Sequence, residues 1–130
     1  MTDRELLNLA SEAAANAYCP YSRFPVGAAL ECTNGRIFTG CNVENMALGS
    51  TMCAERIAIY KAVSEGITDF HRLAIYGEGD EYCMPCGACR QVMSEFSSDL
   101  EVLCARSTGG YVSYKLSDLL PHSFKLGFFK

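Results

Sequence analysis

Residues 73–105 read LAIYGEGDEYCMPCGACRQVMSEFSSDLEVLCA. Leu73 to Tyr76 is a short apolar run of strand length. Pro85 suits the first turn of a helix, where the N–H that proline lacks has no intrahelical partner. That helix extends to about Phe96, and Glu101 to Ala105 is a second apolar strand. Just upstream, Ala58, Ile59, Ala62 and Val63 place apolar residues on a helix from about Met52 to Val63, which Gly66 closes. Helices alternating with strands give an α/β layer fold, with two helices on one face of a mixed sheet. Downstream, Gly109-Gly110 turns the chain into Tyr111 to Leu116. A two-residue connection joins antiparallel strands only, because parallel ones need a crossover of about a dozen residues. The final strand pair is therefore antiparallel, and Ser117 to Leu120 forms a helical turn before Pro121.

The N-terminal half adds a helix and a hairpin. Leu6, Leu7, Ala10, Ala13, Ala14 and Ala17 recur at three- and four-residue spacings, which predicts an amphipathic helix ending before Pro20. Val26 to Cys32 reads as a strand and Arg36 to Glu44 as its return. Between them, Asn34-Gly35 predicts a hairpin turn with both central residues at positive φ. Gly49-Ser50-Thr51 is a loop that ends in helix-capping residue types. No repeat or linker interrupts the chain, so residues 1–130 are expected to form a single domain.

Composition narrows the function classes. A net charge of −4 with scattered Lys and Arg argues against a nucleic-acid partner, which needs a basic face for the phosphates. No apolar run approaches the ~18 residues that span a bilayer, and the first residues lack the pattern of a secretory signal. The expected setting is the cytoplasm, with no membrane partner. Eight cysteines in a chain this rich in core residues point to a thiolate metal site rather than a disulfide scaffold.

Cys53, Cys86 and Cys89 are the candidate ligands, and Zn²⁺ is the expected metal. Three thiolates hold zinc and leave a fourth position open, which separates a catalytic zinc from a structural one. Cys86 and Cys89 share a helix face at three-residue spacing. Helix starts lower thiol pKa and favour the thiolates that a metal requires. Cys53 and Glu55 would diverge by about 200° inside a helix, so both serve one site only where the helix mouth opens onto it. Two other arrangements stay open at this level. Cys83, Cys41 or Cys104 could close a four-thiol structural site, and Cys86/Cys89 could be a redox dithiol, although neither gives Glu55 a task. With the fourth position open to water, whose pKa then falls toward ~7, Glu55 is the candidate proton carrier. Three thiolates leave the cluster anionic, and Arg56, or less directly Arg90, is the candidate to withdraw charge from the sulfurs.

Cys53-Ala54-Glu55 with Pro85-Cys86-Gly87-Ala88-Cys89 has the form of the zinc-deaminase signature. Together with Phe24-Pro25-Val26-Gly27-Ala28-Ala29, Asn42-Val43-Glu44-Asn45 and Arg90-Gln91, the chain resembles the homotetrameric cytidine deaminases from Pro20-Tyr21-Ser22 to Leu119-Leu120-Pro121. The resemblance implies a three-layer fold around a five-stranded mixed sheet. It also implies one zinc per chain and a homotetramer in which neighbours complete each active site. The implied activity is hydrolytic deamination of cytidine and 2′-deoxycytidine in pyrimidine salvage. By the same resemblance Phe24 packs on the pyrimidine face, Asn42 and Glu44 bond ribose hydroxyls, and the Ala54 backbone polarises the pyrimidine carbonyl. Phe124 or Phe128 would reach a neighbouring subunit's site. Leu48 departs from the tyrosine common in similar proteins, which leaves room for another aminated pyrimidine nucleoside, or a nucleoside antibiotic, as substrate.

Overall fold

The three middle strands carry apolar residues at nearly every position because both of their faces are covered. The computed structural model describes residues 1–126. Its elements run α1 (Asp3–Ala14), β1 (Val26–Cys32), β2 (Ile37–Cys41), a 3₁₀ turn (Leu48–Ser50), α2 (Ala54–Ser64), β3 (Phe70–Gly77), α3 (Gly87–Phe96), β4 (Glu101–Arg106), β5 (Tyr111–Lys115) and α4 (Leu116–Leu119). The sheet order is β2-β1-β3-β4-β5. Among the described strands only β3 and β4 pair in parallel, joined by the α3 crossover, and the final β4–β5 pair is antiparallel as expected.

Period-2 alternation sorts the core into two layers. Ala28, Leu30, Leu73, Ile75, Val102 and Cys104 face α2 and α3, where Ala58, Ile59, Ala62 and Met93 meet them. The intervening Ala29, Ala74, Leu103 and Ala105 face Leu6, Leu7 and Ala10 of α1. Gly40 sets how closely α2 lies on the sheet. A Cβ there would stand 2.5 Å from the Ala54 carbonyl oxygen and 2.8 Å from the Ala58 nitrogen. The first turn of α2 thus rests directly on β2, which locates the residues that follow Cys53. No helix among the described residues is long and apolar enough to cross a membrane.

Several expected boundaries shift, each for a local reason. The first helix, expected to end before Pro20, already stops at Ala14, because Ala15, Asn16 and Ala17 bond three residues back in a tightened turn. The hairpin is not a two-residue turn. Gly35 alone has positive φ (+89°), and its N–H bonds the Cys32 carbonyl. Asn34 instead accepts the Arg36 N–H through its side chain, giving a three-residue loop. Regular pairing of the return strand ends at Cys41, after which Val43 bridges both Tyr18 and Met52. The next helix begins at Ala54 rather than Met52, and Pro85 lies two residues before α3 rather than inside its first turn.

Arg72 ties the N-terminus to the sheet. Its guanidinium is buried and donates to Glu31 (2.7 Å), Asp3 (2.5 Å) and the Met1 carbonyl (2.6 Å). The bond from Arg72 holds the Glu31 carboxyl below its ordinary value of 4.5. Because that folded value is depressed, the stability it contributes is complete above pH ~4.5 and is lost as acid takes the pH down through it. We expect Arg72→Met to destabilise the fold at pH 7 by about 2 kcal/mol, less than for a fully buried pair, since it leaves the partly buried Glu31 carboxylate without its cation. The deficit should narrow at pH 3.5, where Glu31 is protonated in the variant. Urea unfolding at both pH values measures it.

Candidate active site

Helices α2 and α3 both open on a cysteine. Cys53 is the N-cap of α2 and Cys86 the N-cap of α3, each in extended backbone and neither capping its own helix through its side chain. Ser, Thr, Asp or Asn at these positions would bond the helix N–H groups, so the two thiols are left free to face one another. Cys89 is the third helical residue of α3. A residue at that position lies over the N-cap, as the partners in a capping box do, and its sulfur is 3.4 Å from that of Cys86. Cys86 and Cys53 sulfurs are 3.8 Å apart, and all three lie within 4.8 Å of one another.

The same N-cap relation recurs in α2 with a cation. Arg56 is the third residue of that helix, and its Nη2 donates to the Cys53 sulfur at 3.3 Å. Hydrogen bonding with Cys89, reinforced by Arg56, lowers the Cys53 thiol to about 5 against the opposing effect of burial. Cys89, fully buried, is shifted upward, first by its bond to Cys53 and then by burial. The Arg56 Nε is buried without a hydrogen-bond partner. Arg90, the weaker candidate for that task, is engaged elsewhere: it donates to the Pro85 carbonyl (2.8 Å) and the Leu119 carbonyl (2.9 Å).

This donor set fits zinc. Three sulfurs converge, one is already biased toward thiolate, and a guanidinium offsets their charge. Among the described residues, no fourth Cys, His, Asp or Glu joins the three. Cys83 and Cys104, possible fourth ligands by spacing, are instead pushed up to about 12 by burial. Glu55, the second helical residue of α2, is 4% exposed. Burial raises its carboxyl to about 7, with a further push from Cys53, so it can exchange a proton near neutral pH. The helix mouth therefore accommodates Cys53 and Glu55 together.

The Asn42–Glu44 segment is joined through Val43 to Tyr18 and to Met52, one residue before Cys53. The hydrogen bonds of Asn42 and Glu44 run within the protein. Asn42 donates to the Phe24 carbonyl (2.9 Å) and accepts from the Val26 N–H (2.9 Å). Glu44 accepts from the N–H groups of Tyr21 (3.0 Å) and Ser22 (3.1 Å) and from the Ser22 hydroxyl. Ser22 holds the Glu44 carboxyl below the usual carboxylate range, so it is ionised. The loop that they hold is strained at Arg23, the non-glycine residue at positive φ (+56°) among those described. Phe24 follows at once, half-exposed, with its ring against Gly77.

Residues 1–105 match the family model described as the cytidine and deoxycytidylate deaminase zinc-binding region. The chain belongs to that family. It is 42% identical over 125 residues to a cytidine deaminase of Sporosarcina psychrophila, covering 95% of this chain and 92% of that one. Among solved structures, a cytidine deaminase from Burkholderia pseudomallei superposes with a TM-score of 0.93 at 43% identity, covering 95% of this chain and all of that one. One from Mycobacterium tuberculosis gives 0.84 at 41%, with 97% and 100% covered.

Two residues of this deaminase-family chain had no role assigned from sequence. Ser22 anchors Glu44, and Gln91 clasps the Phe124 backbone with bonds of 3.0 and 3.3 Å. Each lay within a motif already singled out, but a side chain that bonds distant backbone leaves no periodic signal. Phe124 itself is 69% exposed, and Phe128 lies outside the described residues.

Proposed function

We propose that this chain is a single-domain, zinc-dependent hydrolase that converts cytidine and 2′-deoxycytidine to the uridine nucleosides and ammonia, one zinc per chain. The observation that carries this is the convergence of Cys53, Cys86 and Cys89 beside a buried Glu55 with a raised pKa. Zinc held by those sulfurs supplies Lewis acidity, which makes water nucleophilic near neutral pH. Glu55 accepts the water proton and returns it to the pyrimidine ring nitrogen as oxygen adds to the carbon bearing the amine. A second proton from water then reaches the amine, the C–N bond breaks, and ammonia leaves while the ring carbonyl forms. Arg56 draws charge from Cys53.

Phe24 supplies a flat apolar surface for the base. The Ala54 N–H, at the mouth of α2, is the donor for the pyrimidine carbonyl. Asn42 and Glu44 hold the Phe24 loop and still offer an amide hydrogen and a free carboxylate lone pair to ribose hydroxyls. A homotetramer is supported by the exposed apolar side chains of Met46, Leu48, Tyr21 and Phe124, which a monomer would leave wet. Phe124, or Phe128 beyond it, would then reach a neighbour. The cellular setting is the cytoplasm, in pyrimidine salvage.

Ammonia release from cytidine, deoxycytidine, cytosine and adenosine tests the substrate assignment. Turnover of the two cytosine nucleosides, with the free base and adenosine untouched, is expected. Activity on adenosine alone, or on none of the four, would overturn it.

A further inference from the structure

The segment that delivers Cys86 has no helix or strand of its own. Between the end of β3 at Gly77 and the start of α3 at Gly87 it runs through Glu78, Gly79, Asp80, Glu81, Tyr82, Cys83, Met84 and Pro85 to Cys86. Two of the three sulfurs depend on where this segment ends. Its N-cap cysteine forms no side-chain cap bond, and from the helix side Arg90 fixes the Pro85 carbonyl at the segment's end.

The rest of the segment is held by the end of β4 and the β4–β5 turn. Arg106, the last residue of β4, stacks its guanidinium on the Tyr82 ring, 4.3 Å from the centroid. The same guanidinium donates to the Asp80 carbonyl (3.0 Å) and to the Gly109 carbonyl (2.6 Å), so it ties the segment to the turn. Ser107 accepts the Gly79 N–H at 2.8 Å, and the Cys83 N–H bonds the Ala105 carbonyl at 3.1 Å. Tyr82 and Cys83 in turn pack against the core layer that contains Cys89. A planar fork that stacks and donates in two directions is a property of arginine rather than lysine.

We propose that Arg106, which touches none of the three cysteines, is a positioning residue for the Cys86–Cys89 half of the metal centre. It acts through Tyr82, by fixing the segment whose end sets the Cys86 sulfur. The proposal rests on the reading of Cys53, Cys86 and Cys89 as zinc ligands. Partners outside the ligand shell govern metal retention by holding ligands in register, and losing one typically weakens affinity about 10- to 100-fold.

The test is zinc affinity of the purified protein, by competition with a chromophoric chelator, with cobalt substitution reporting thiolate ligation in the absorption spectrum. Arg106→Ala should weaken zinc at least about tenfold and alter the cobalt–thiolate bands. Arg106→Lys, which keeps a cation over the ring, should recover part of the loss. Tyr82→Leu should weaken zinc similarly, and the double variant no further than either single one. Arg36→Ala removes another stacked arginine, over Phe38 on the far hairpin, and should leave zinc affinity unchanged.

Equal affinity in Arg106→Ala and wild type, equal losses in Arg106→Ala and Arg36→Ala, or additive losses in the double variant would overturn the proposal. If Arg106→Ala does not fold, Tyr82→Leu and Arg106→Lys decide by the same criteria. Cys86→Ala separates the two levels. Zinc bound as tightly as in wild type there removes the ligand assignment itself, whereas zinc lost there but retained in Arg106→Ala removes only the positioning role.

Discussion

Glu55→Gln lowers kcat for cytidine deamination by roughly 10²- to 10⁴-fold while zinc content stays near one per chain. The size follows from the range for a positioned acid–base group. Glutamine matches the shape of glutamate but cannot accept a proton from water or carry it to the ring. Glu55 is well placed for that transfer because it is buried at the mouth of α2, which raises its carboxyl to about 7. The sulfurs are untouched by the change, so metal analysis separates a lost proton carrier from a lost metal. Steady-state ammonia release and metal analysis of the same preparation measure both. Turnover within threefold of wild type would remove Glu55 from the chemistry.

Cys89→Ala abolishes both zinc retention and deamination. Cys89 is the fully buried member of the trio and neighbours both other sulfurs. Its loss leaves two thiols, too few for a stable site of this type. The variant should copurify with less than about a tenth of a zinc per chain, and added zinc should not restore turnover. Its unfolding midpoint should also fall, because bound metal stabilises the native state by mass action. Full zinc content with normal turnover would place the metal elsewhere.

The α/β class, the mixed sheet and the antiparallel last pair were all legible in the chain. They depend on local periodicity and on connection lengths, both of which are properties of consecutive residues. Boundaries were less legible. Nothing local to Ala14 separates a continuing helix from a tightened turn, and the pairing of Tyr18 with Val43 decides it. Asn34-Gly35 likewise suits several hairpin loops, and the bond from Arg36 to the Asn34 side chain selects one.

The site shows the same division. Cys53, Glu55, Cys86 and Cys89 stood out because metal and acid–base chemistry need those residue types at those spacings. Arg56 could be named because three thiolates require a nearby cation, yet its 3.3 Å approach to Cys53 comes from the N-cap geometry. Arg90 shows the converse. Beside a candidate ligand in sequence, it turns away to bind the Pro85 and Leu119 carbonyls. Asn42 and Glu44 were read as sugar contacts, and their bonds to the Phe24 loop became visible only once Val43 had joined Tyr18 and Met52.

By itself, then, the order of residues determined the layers and marked out the candidate ligands and proton carrier, because each is encoded in short spacings. Tertiary structure decided which groups meet: the N-caps brought together across α2 and α3, the Phe24 loop held by Glu44, and the Cys86 segment held by Arg106. Those contacts join residues tens of positions apart, and no local pattern records where a folded chain will return.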